Sequence, residues 1–517
     1  MHKKIFALIL GSYLFFGISN TANATWENHL RTNFLNNSTI IYTVNIRTFN
    51  ADDKNGNDII EIEEGEISGN FVNAAERLEE LKNKGITALH ILPVTPVGKM
   101  KALGTAGSLY SAAGYNSLNP QLKDNNADLS IEEQAQNFIN KAHEKGISII
   151  VDVPACGSYD LFLQRPELFV QDRSGQPVIP SDWTDVRLLN AGDENKINND
   201  VLKLYEEFVD YMISLGVDGI RADVAHSKPA GFWKELITYS RKQNPEFLWL
   251  AESSDSWDEA VSPEAVYTSY DKLLKAGFDG FYGSFFNLKN WKTSKEFQKN
   301  LEVILNLKKN TGEQKSVIGS FTTHDELSPI LLKGETLSRM IIWLNATLPV
   351  NSYFVDGFDT GDDYLYKWEN KKAEKTYTDD DDYFVHRGKI DLFNFSRKPG
   401  GNNKALEQEF ITANNFKKTV LKIQKNGNFK FVKTSNPSVF AYTVSDKNTT
   451  ILVVGNLDFD KSYENIKVKV PKININKPVQ AIKANSLPKI NKGNINLNIK
   501  NGEIQVYLVL DDKTVKR

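Results

Sequence analysis

The sequence predicts an α/β protein built as a (β/α)8 TIM barrel, with an inserted subdomain after strand three and a C-terminal antiparallel β-sandwich domain. Three observations carry that prediction. From about residue 39 to 425, short apolar or β-branched runs alternate with helical patterns, as in a parallel sheet covered by helices. The span between Ala155 and about Asp200 is too long for an ordinary strand-to-helix loop. After about residue 428 the apolar period falls to two, as in antiparallel strands with one covered face.

TIIYTVNIRTF (39–49) is a strand of β-branched and aromatic residues. FVNAAERLEELKNKG (71–85) has apolar residues at helical spacing and stops on Lys and Gly. ITALHILPV (86–94) returns to strand, IEEQAQNFINKAHEKG (131–146) is helical, and ISIIVDV (147–153) is the third strand. VLKLYEEFVDYMISLG (201–216) is a helix, VDGIRADV (217–224) strand four, GFWKELITYSRK (231–242) a helix and FLWLAE (247–252) strand five. FDGFYGSF, KSVIGSF and ATLPVNSYFV supply strands six to eight. Eight such units suit a barrel with insertions. A doubly wound sheet is the alternative, disfavoured because no Gly-rich phosphate loop follows the first strand. In the last part NFKFVKT, VFAYTVS, TTILVVGNL, ENIKVKV, NINLNIK and EIQVYLVL alternate with turn signals between them. The domain limits read 25–427 for the barrel, with its inserted subdomain at about 155–200, and 428–517 for the sandwich.

The N-terminus reads as a secretory signal peptide over 1–24. His2-Lys3-Lys4 precedes the apolar run Ile5–Ile18, and Ala22-Asn23-Ala24 forms a small-residue cleavage site ahead of Thr25. The run is too short to span a bilayer, so a secreted or periplasmic protein without membrane insertion after cleavage is expected. A net charge of −3 over 517 residues gives no reason to expect nucleic acid or an anionic surface as partner, and the chain is read as a monomer. Cys156 is the single cysteine, which excludes an intramolecular disulfide and leaves a small packing residue. No Cys/His cluster suggests zinc. The run Asp379–Asp382 is a candidate cation site, though such runs are usually solvated loops.

A barrel enzyme builds its site at the C-terminal ends of its strands. There the sequence puts Asp152 after strand three, Arg221 and Asp223 at strand four, Glu252 after strand five, and His324 with Asp325 after strand seven. Arg221 and Asp223 are two apart, so they share a strand face directed inward, which is costly without a use. Two carboxylates about 5 Å apart suit glycoside cleavage with retention. A guanidinium beside Asp223 would favour its ionised, nucleophilic form, and the apolar strand FLWLAE would favour a protonated Glu252.

GIRADVAH, WLAE and FTTHDE, in that order, resemble the signature regions of the α-amylase superfamily of retaining glycoside hydrolases (glycoside hydrolase family 13 type), in an atypical branch. The first two strands, the loop GSLYSAAGYNSLNP (107–120), the run VRLLN (186–190) and the trailing β domain are similar to that family's as well. The resemblance implies Asp223 as nucleophile, Glu252 as general acid/base and Asp325 as the group that grips and distorts the sugar. It implies substrate contacts from Tyr110, Asp152, Arg221, His226 and His324. Departures are equally specific. In DVPACG (152–157), Cys156 replaces an Asn that often binds calcium, and Gly157 replaces a sugar-contacting His, so no metal ligand is assigned and no cofactor is certain: calcium stays possible but without its usual Asn ligand. Gly114 stands where the family has an acid, His226 where Lys is common, and Ser227 where His is usual. DVAHSKPAGFW (223–233) resembles maltosyltransferase-like branches more than starch amylases.

The expected function is cleavage of α-glucosidic bonds, in an α-1,4-glucan or maltooligosaccharide, by double displacement. A transglycosylase on the same site and a non-catalytic glycan-binding barrel are the alternatives. Elsewhere, His90 inside its apolar strand reads as a satisfied core histidine, and Trp183, Trp257 and Trp291 are read as either sugar platforms or packing.

Overall fold

Eight parallel strands form one sheet: β1 (Ile40–Val44), β2 (Ala88–Ile91), β3 (Ser148–Val153), β4 (Gly219–Ala222), β5 (Leu248–Ala251), β6 (Gly280–Tyr282), β7 (Ser316–Ile318) and β8 (Ser352–Val355). They follow one another from β1 to β7, with β8 on the other side of β1. The ends meet through a parallel bridge of Ile318 with Asn351, where Asn351 N donates to Val317 O at 3.0 Å and Gly319 N donates to Asn351 O at 2.8 Å. The sheet is therefore a closed barrel with no free edge. This computed structural model describes residues 26–180, 183–364, 391–425, 427–470, 479–491 and 494–510. The expected signal peptide, its Thr25 boundary and the run Asp379–Asp382 lie outside the described residues.

Each predicted strand segment contains one barrel strand, and the reason is burial on both faces. Ile41, Ala88, Ile150, Leu248, Leu250 and Ile318 fill the barrel interior, while Tyr42, Leu89, Ile149, Ile220, Trp249 and Val317 pack outward under the helices. Such strands read as continuous apolar runs. Helix Leu30–Leu35 covers the base. Its Phe34 is fully buried and joins the interior cluster, and its carbonyl accepts from Asn351 Nδ2 at 2.9 Å. Gly280 is required beneath it, because a Cβ there would stand 2.4 Å from Phe34 Cζ.

The inserted segment after β3 is tied by antiparallel pairing of Cys156–Gly157 with Arg187–Leu188, with helix Tyr159–Gln164 between them. After the barrel, helix Lys404–Gln424 leads into β9 (Asn428–Phe431), β10 (Val439–Ser445), β11 (Thr449–Asn456), β12 (Tyr463–Lys469), β13 (Val479–Lys483), β14 (Lys489–Asn491), β15 (Asn494–Ile499) and β16 (Ile504–Leu510). A five-stranded sheet, β9-β10-β11-β16-β13, faces a three-stranded one, β12-β15-β14. Val439, Leu452, Val454 and Tyr507 of the first pack against Ile466, Val468, Ile495 and Leu497 of the second, which makes the predicted sandwich. The other face of the large sheet docks on the barrel: Phe440 stacks on Phe297 with centroids 4.0 Å apart, and Tyr442 OH lies 2.6 Å from Thr347 Oγ1. Two strands, β13 and β14, were not among the expected segments. β13 pairs with β16 through a register shift between Ala481 and Lys483, which breaks the alternation that would have marked it.

A buried cation locks the last barrel strand to the helices. Lys84 Nζ lies 2.5 Å from Glu80 Oε1, 2.6 Å from Asp359 Oδ2 and 3.1 Å from Glu407 Oε1. Among the described residues these three acids are the grouping close enough to share a metal ion, and the ammonium already sits among them. Replacing Lys84 by Met leaves Asp359 buried without its cation. We expect a loss of about 3 kcal/mol in stability, read as a lower urea midpoint at unchanged slope. A midpoint equal to wild type would show that the cluster contributes nothing.

Candidate active site

At the end of the barrel opposite Phe34, the interior changes from apolar to polar. Asp152 on β3 and Arg221 on β4 are register partners on neighbouring strands, and both are fully buried. Burial pushes the Asp152 carboxyl up, but Arg221 and then His90 outweigh it and hold Asp152 below the usual carboxylate range. His90 Nε2 stands 2.8 Å from Asp152 Oδ1 and donates to it, while Nδ1 faces Thr43 Oγ1 at 3.0 Å and Tyr353 OH at 3.1 Å. His90 is thus a satisfied core histidine, and it also supports the site. Tyr110 OH donates to Asp152 Oδ2 at 2.6 Å and lies 2.9 Å from His324 Nε2.

Arg221 joins the carboxyls of three strands. Nη1 donates to Asp152 Oδ2 at 3.0 Å and to Asp223 Oδ1 at 3.1 Å. Nη2 stands 2.7 Å from Glu252 Oε1, an ionic contact rather than an aligned hydrogen bond. Nε donates to Tyr282 OH at 3.2 Å. This explains the charged pair on one strand face: the guanidinium is the shared counter-ion of the site. It does not, however, favour one carboxyl alone. Burial, and next the neighbouring Glu252, push Asp223 well above the usual range, with Arg221 offsetting only part. Burial also raises Glu252, Arg221 opposes it, and Asp325 adds to the rise. The two carboxyls titrate as an interacting pair with Arg221 as their common counter-ion, and Arg221 by itself does not hold Asp223 down, contrary to the expectation from the sequence.

Backbone amides fix the second oxygen of each carboxyl. Ala155 N donates to Asp223 Oδ2 at 2.9 Å, and Val224 N donates to Glu252 Oε2 at 2.7 Å. Val224 adopts φ 42° and ψ 51°, a left-handed conformation unusual for a β-branched residue. That strain, on the order of 1–3 kcal/mol, sits immediately after Asp223 and is held by packing of Val224 against Ala155, Cys156, Val186 and Leu188.

His324 and Asp325 follow β7, with His324 Nε2 3.6 Å from Asp325 Oδ2. Burial lowers His324 to about 4, so it is neutral at pH 7. The Asp325 side chain is 36% exposed, which leaves it open to a ligand at the barrel mouth. His226 lies at the edge of this group: burial lowers it to about 4, and its ring packs edge-on against Trp257 with centroids 5.5 Å apart. Trp257 thus lies beside the site, Trp183 packs against the Cys156 cluster, and Trp291 is a core residue.

The residues at the family's calcium position do not suit that ion. Cys156 is buried and its thiol is pushed up to about 12, while the Lys228 ammonium next to it donates to Ala155 O at 2.7 Å. A neutral thiol beside an ammonium does not fit a cation that takes oxygen ligands. Gly157 has no room for the family's histidine, since a Cβ would stand 2.7 Å from Phe169 Cζ. Tyr282, Lys228 and the amides of Ala155 and Val224 escaped sequence reasoning. Of these, Tyr282 alone carried a signal, as a polar residue at the end of strand six.

Residues 429–501 match the model of the maltogenic amylase C-terminal domain family. An α-1,4-glucan:maltose-1-phosphate maltosyltransferase from Corynebacterium glutamicum is 25% identical over 417 residues, 76% of this chain and 56% of that protein's length. The chain thus spans little more than half of that relative. Alpha-amylase 3 from Dictyoglomus thermophilum is 25% identical over 477 residues, 81% of this chain and 84% of the amylase. An α-amylase from Lactobacillus plantarum superposes with a TM-score of 0.67 at 19% identity, covering 92% of this chain and 99% of that one. A maltogenic α-amylase from Thermotoga neapolitana gives 0.68 at 17% identity, over 92% and 99% of the two chains. These likenesses support a member of the α-amylase superfamily. Within this α-amylase fold, Arg221 gathers Asp223 and Glu252, two of the three carboxyls that the resemblance singled out, while the third, Asp325, stands beside His324.

Proposed function

We propose that the protein cleaves α-glucosidic bonds of α-1,4-glucans or maltooligosaccharides with retention of configuration. The observation that carries this reading is the contact of one buried guanidinium with both Asp223 and Glu252 at the barrel mouth. Asp223 attacks the anomeric carbon and forms a glycosyl ester, while Glu252 gives a proton to the departing oxygen. Glu252 then takes a proton from the incoming acceptor as the ester breaks. Burial raises Glu252, which suits it to supply the proton of this first step, and Asp325 binds sugar hydroxyls beside it. The glucan substrate is supported by the relatives, which are an amylase and glucan maltosyltransferases. Water as acceptor makes the protein a hydrolase, and export places it in the periplasm or outside the cell.

A second reading is favoured by one feature: DVAHSKPAGFW resembles the maltosyltransferase branch, and several relatives bear that name. There the glycosyl ester passes to another glucan. Chromatography of products from maltoheptaose and from glycogen decides between the two readings. Shorter oligosaccharides mark hydrolysis, and products longer than the substrate mark transfer. Release of inorganic phosphate from maltose 1-phosphate in the presence of glycogen identifies a phosphorylated donor. Unchanged substrates in every arm would overturn both readings and leave a glycan-binding barrel.

A further inference from the structure

Three consecutive carbonyls after β3 are each held by a buried side chain. Pro154 O accepts from Tyr205 OH at 2.7 Å and from Tyr115 OH at 3.1 Å. Ala155 O accepts from Lys228 Nζ at 2.7 Å, and Cys156 O accepts from Tyr115 OH at 2.8 Å. The segment so fixed carries the Ala155 amide that donates to Asp223 Oδ2. Lys228 is 1% exposed and reaches inward from the turn that follows Asp223. Its own carbonyl accepts from Thr268 Oγ1 at 2.8 Å, which anchors the base of the side chain. A lysine is seldom buried this completely without a carboxylate in direct contact. Here it makes no carboxylate ion pair within salt-bridge distance among the described residues.

We infer that Lys228 is a positioning residue for Asp223: its ammonium grips the Ala155 carbonyl, aims the Ala155 amide at Oδ2, and places a second positive charge behind the nucleophile. The inference rests on the reading of Asp223 given above. The first effect is geometric. Asp223 needs one oxygen free to attack, and a fixed amide on Oδ2 holds the carboxyl in a single rotamer. The second effect is electrostatic. Arg221 is shared among Asp152, Asp223 and Glu252, so an additional cation is needed to offset the mutual repulsion of the pair. The titratable groups facing Lys228 are Asp223, Cys156 and the Tyr205 ring, whose centroid lies 5.3 Å from Nζ. Those facing Asp223 are Arg221, Glu252, Asp152 and Tyr110 together with Tyr115, Tyr205 and Cys156 from the Lys228 side. Burial lowers Lys228 itself to about 8, with Cys156 and then Asp223 pulling it back up, so it is still mostly charged at neutral pH.

The test uses the full chain and three variants, Lys228→Met, Lys228→Gln and Lys228→Arg. Infrared difference titration follows the carbonyl stretch of the protonated Asp223 carboxyl, assigned by its loss in Asp223→Asn, and needs no substrate. We expect the midpoint to rise by about one pH unit in the Met and Gln variants, which lose the charge. In Lys228→Arg it returns to the wild-type value. In parallel, kcat on maltoheptaose falls about a hundredfold in Lys228→Met with KM within about threefold. The Gln variant, which keeps a donor, retains more of the rate. Should Met fail to fold, Gln and Arg still decide. Midpoints equal to wild type in both uncharged variants, whatever their melting temperatures, would reduce Lys228 to packing and overturn the inference. A protein that shows the shift but cleaves no glucan would instead overturn the function proposed above and leave the positioning role standing.

Discussion

Asp223→Asn is expected to lose nearly all turnover and to be more stable than wild type at neutral pH. The loss follows from chemistry: an amide cannot form the glycosyl ester, so kcat falls by about ten-thousandfold or more. Glu252→Gln separates the two carboxyls. With an ordinary sugar leaving group it falls by about a thousandfold, whereas a glycosyl fluoride, which leaves without a proton, still forms the ester. The gain in stability follows from the upward shift of Asp223 by burial and by Glu252. A carboxyl raised in the folded state contributes its stability below the unfolded value of about 4. That contribution is lost as pH climbs through the folded value. The Asn variant does not suffer this loss. Its melting temperature should match wild type near pH 4 and exceed it increasingly toward pH 8. Ten per cent residual activity would exclude Asp223 as nucleophile. A melting-temperature difference independent of pH would show that the pair carries no unfavourable charge.

Arg221→Met is expected to be among the most destabilising single substitutions in the barrel. The guanidinium is 0% exposed and contacts Asp152, Asp223 and Glu252. Removing it strands several buried carboxyls, for which about 3–5 kcal/mol is expected by urea denaturation. The deficit should shrink as acid neutralises them. Arg221→Lys keeps the charge but not the planar fork that reaches carboxyls on two neighbouring strands, so it should fall between Met and wild type. Stability of Arg221→Met within about 1 kcal/mol of wild type would mean that the carboxyls are protonated or hydrated enough not to need the cation.

The barrel was legible because its strands are buried on both faces and end in polar residues. Asp152, Arg221, Asp223, Glu252, His324 and Asp325 could each be located by that rule alone, and the structure brings them together. What stayed hidden has physical reasons. Backbone amides, such as those of Ala155 and Val224, leave no trace in residue identity. Lys228 reads as an ordinary surface lysine, since its burial is set by Tyr205 and Thr268, both distant in sequence. The charge balance of the Asp223–Glu252 pair depends on Arg221 being shared. Spacing along a strand shows that two charges face the same way, but not how many others converge on them. In the sandwich, β13 was missed because a register shift disrupts its period.

The helix at Leu30–Leu35 is made early in synthesis, yet its partners come late. Arg31 bonds to Asp279, Thr32 to Glu246 and the Phe34 carbonyl to Asn351. The floor of the barrel therefore cannot be laid until most of the chain exists, and until then Phe34 has no place to go. Assembly of this end is governed by long-range encounters, which are slow. The same geometry separates the two ends of the molecule by use. Trp26 lies at the floor, where its indole donates to Asp218 Oδ1 at 2.9 Å, while the carboxyls open at the opposite rim. A label attached at the exposed face of Trp26 would sit at the floor, away from the rim where the carboxyls open.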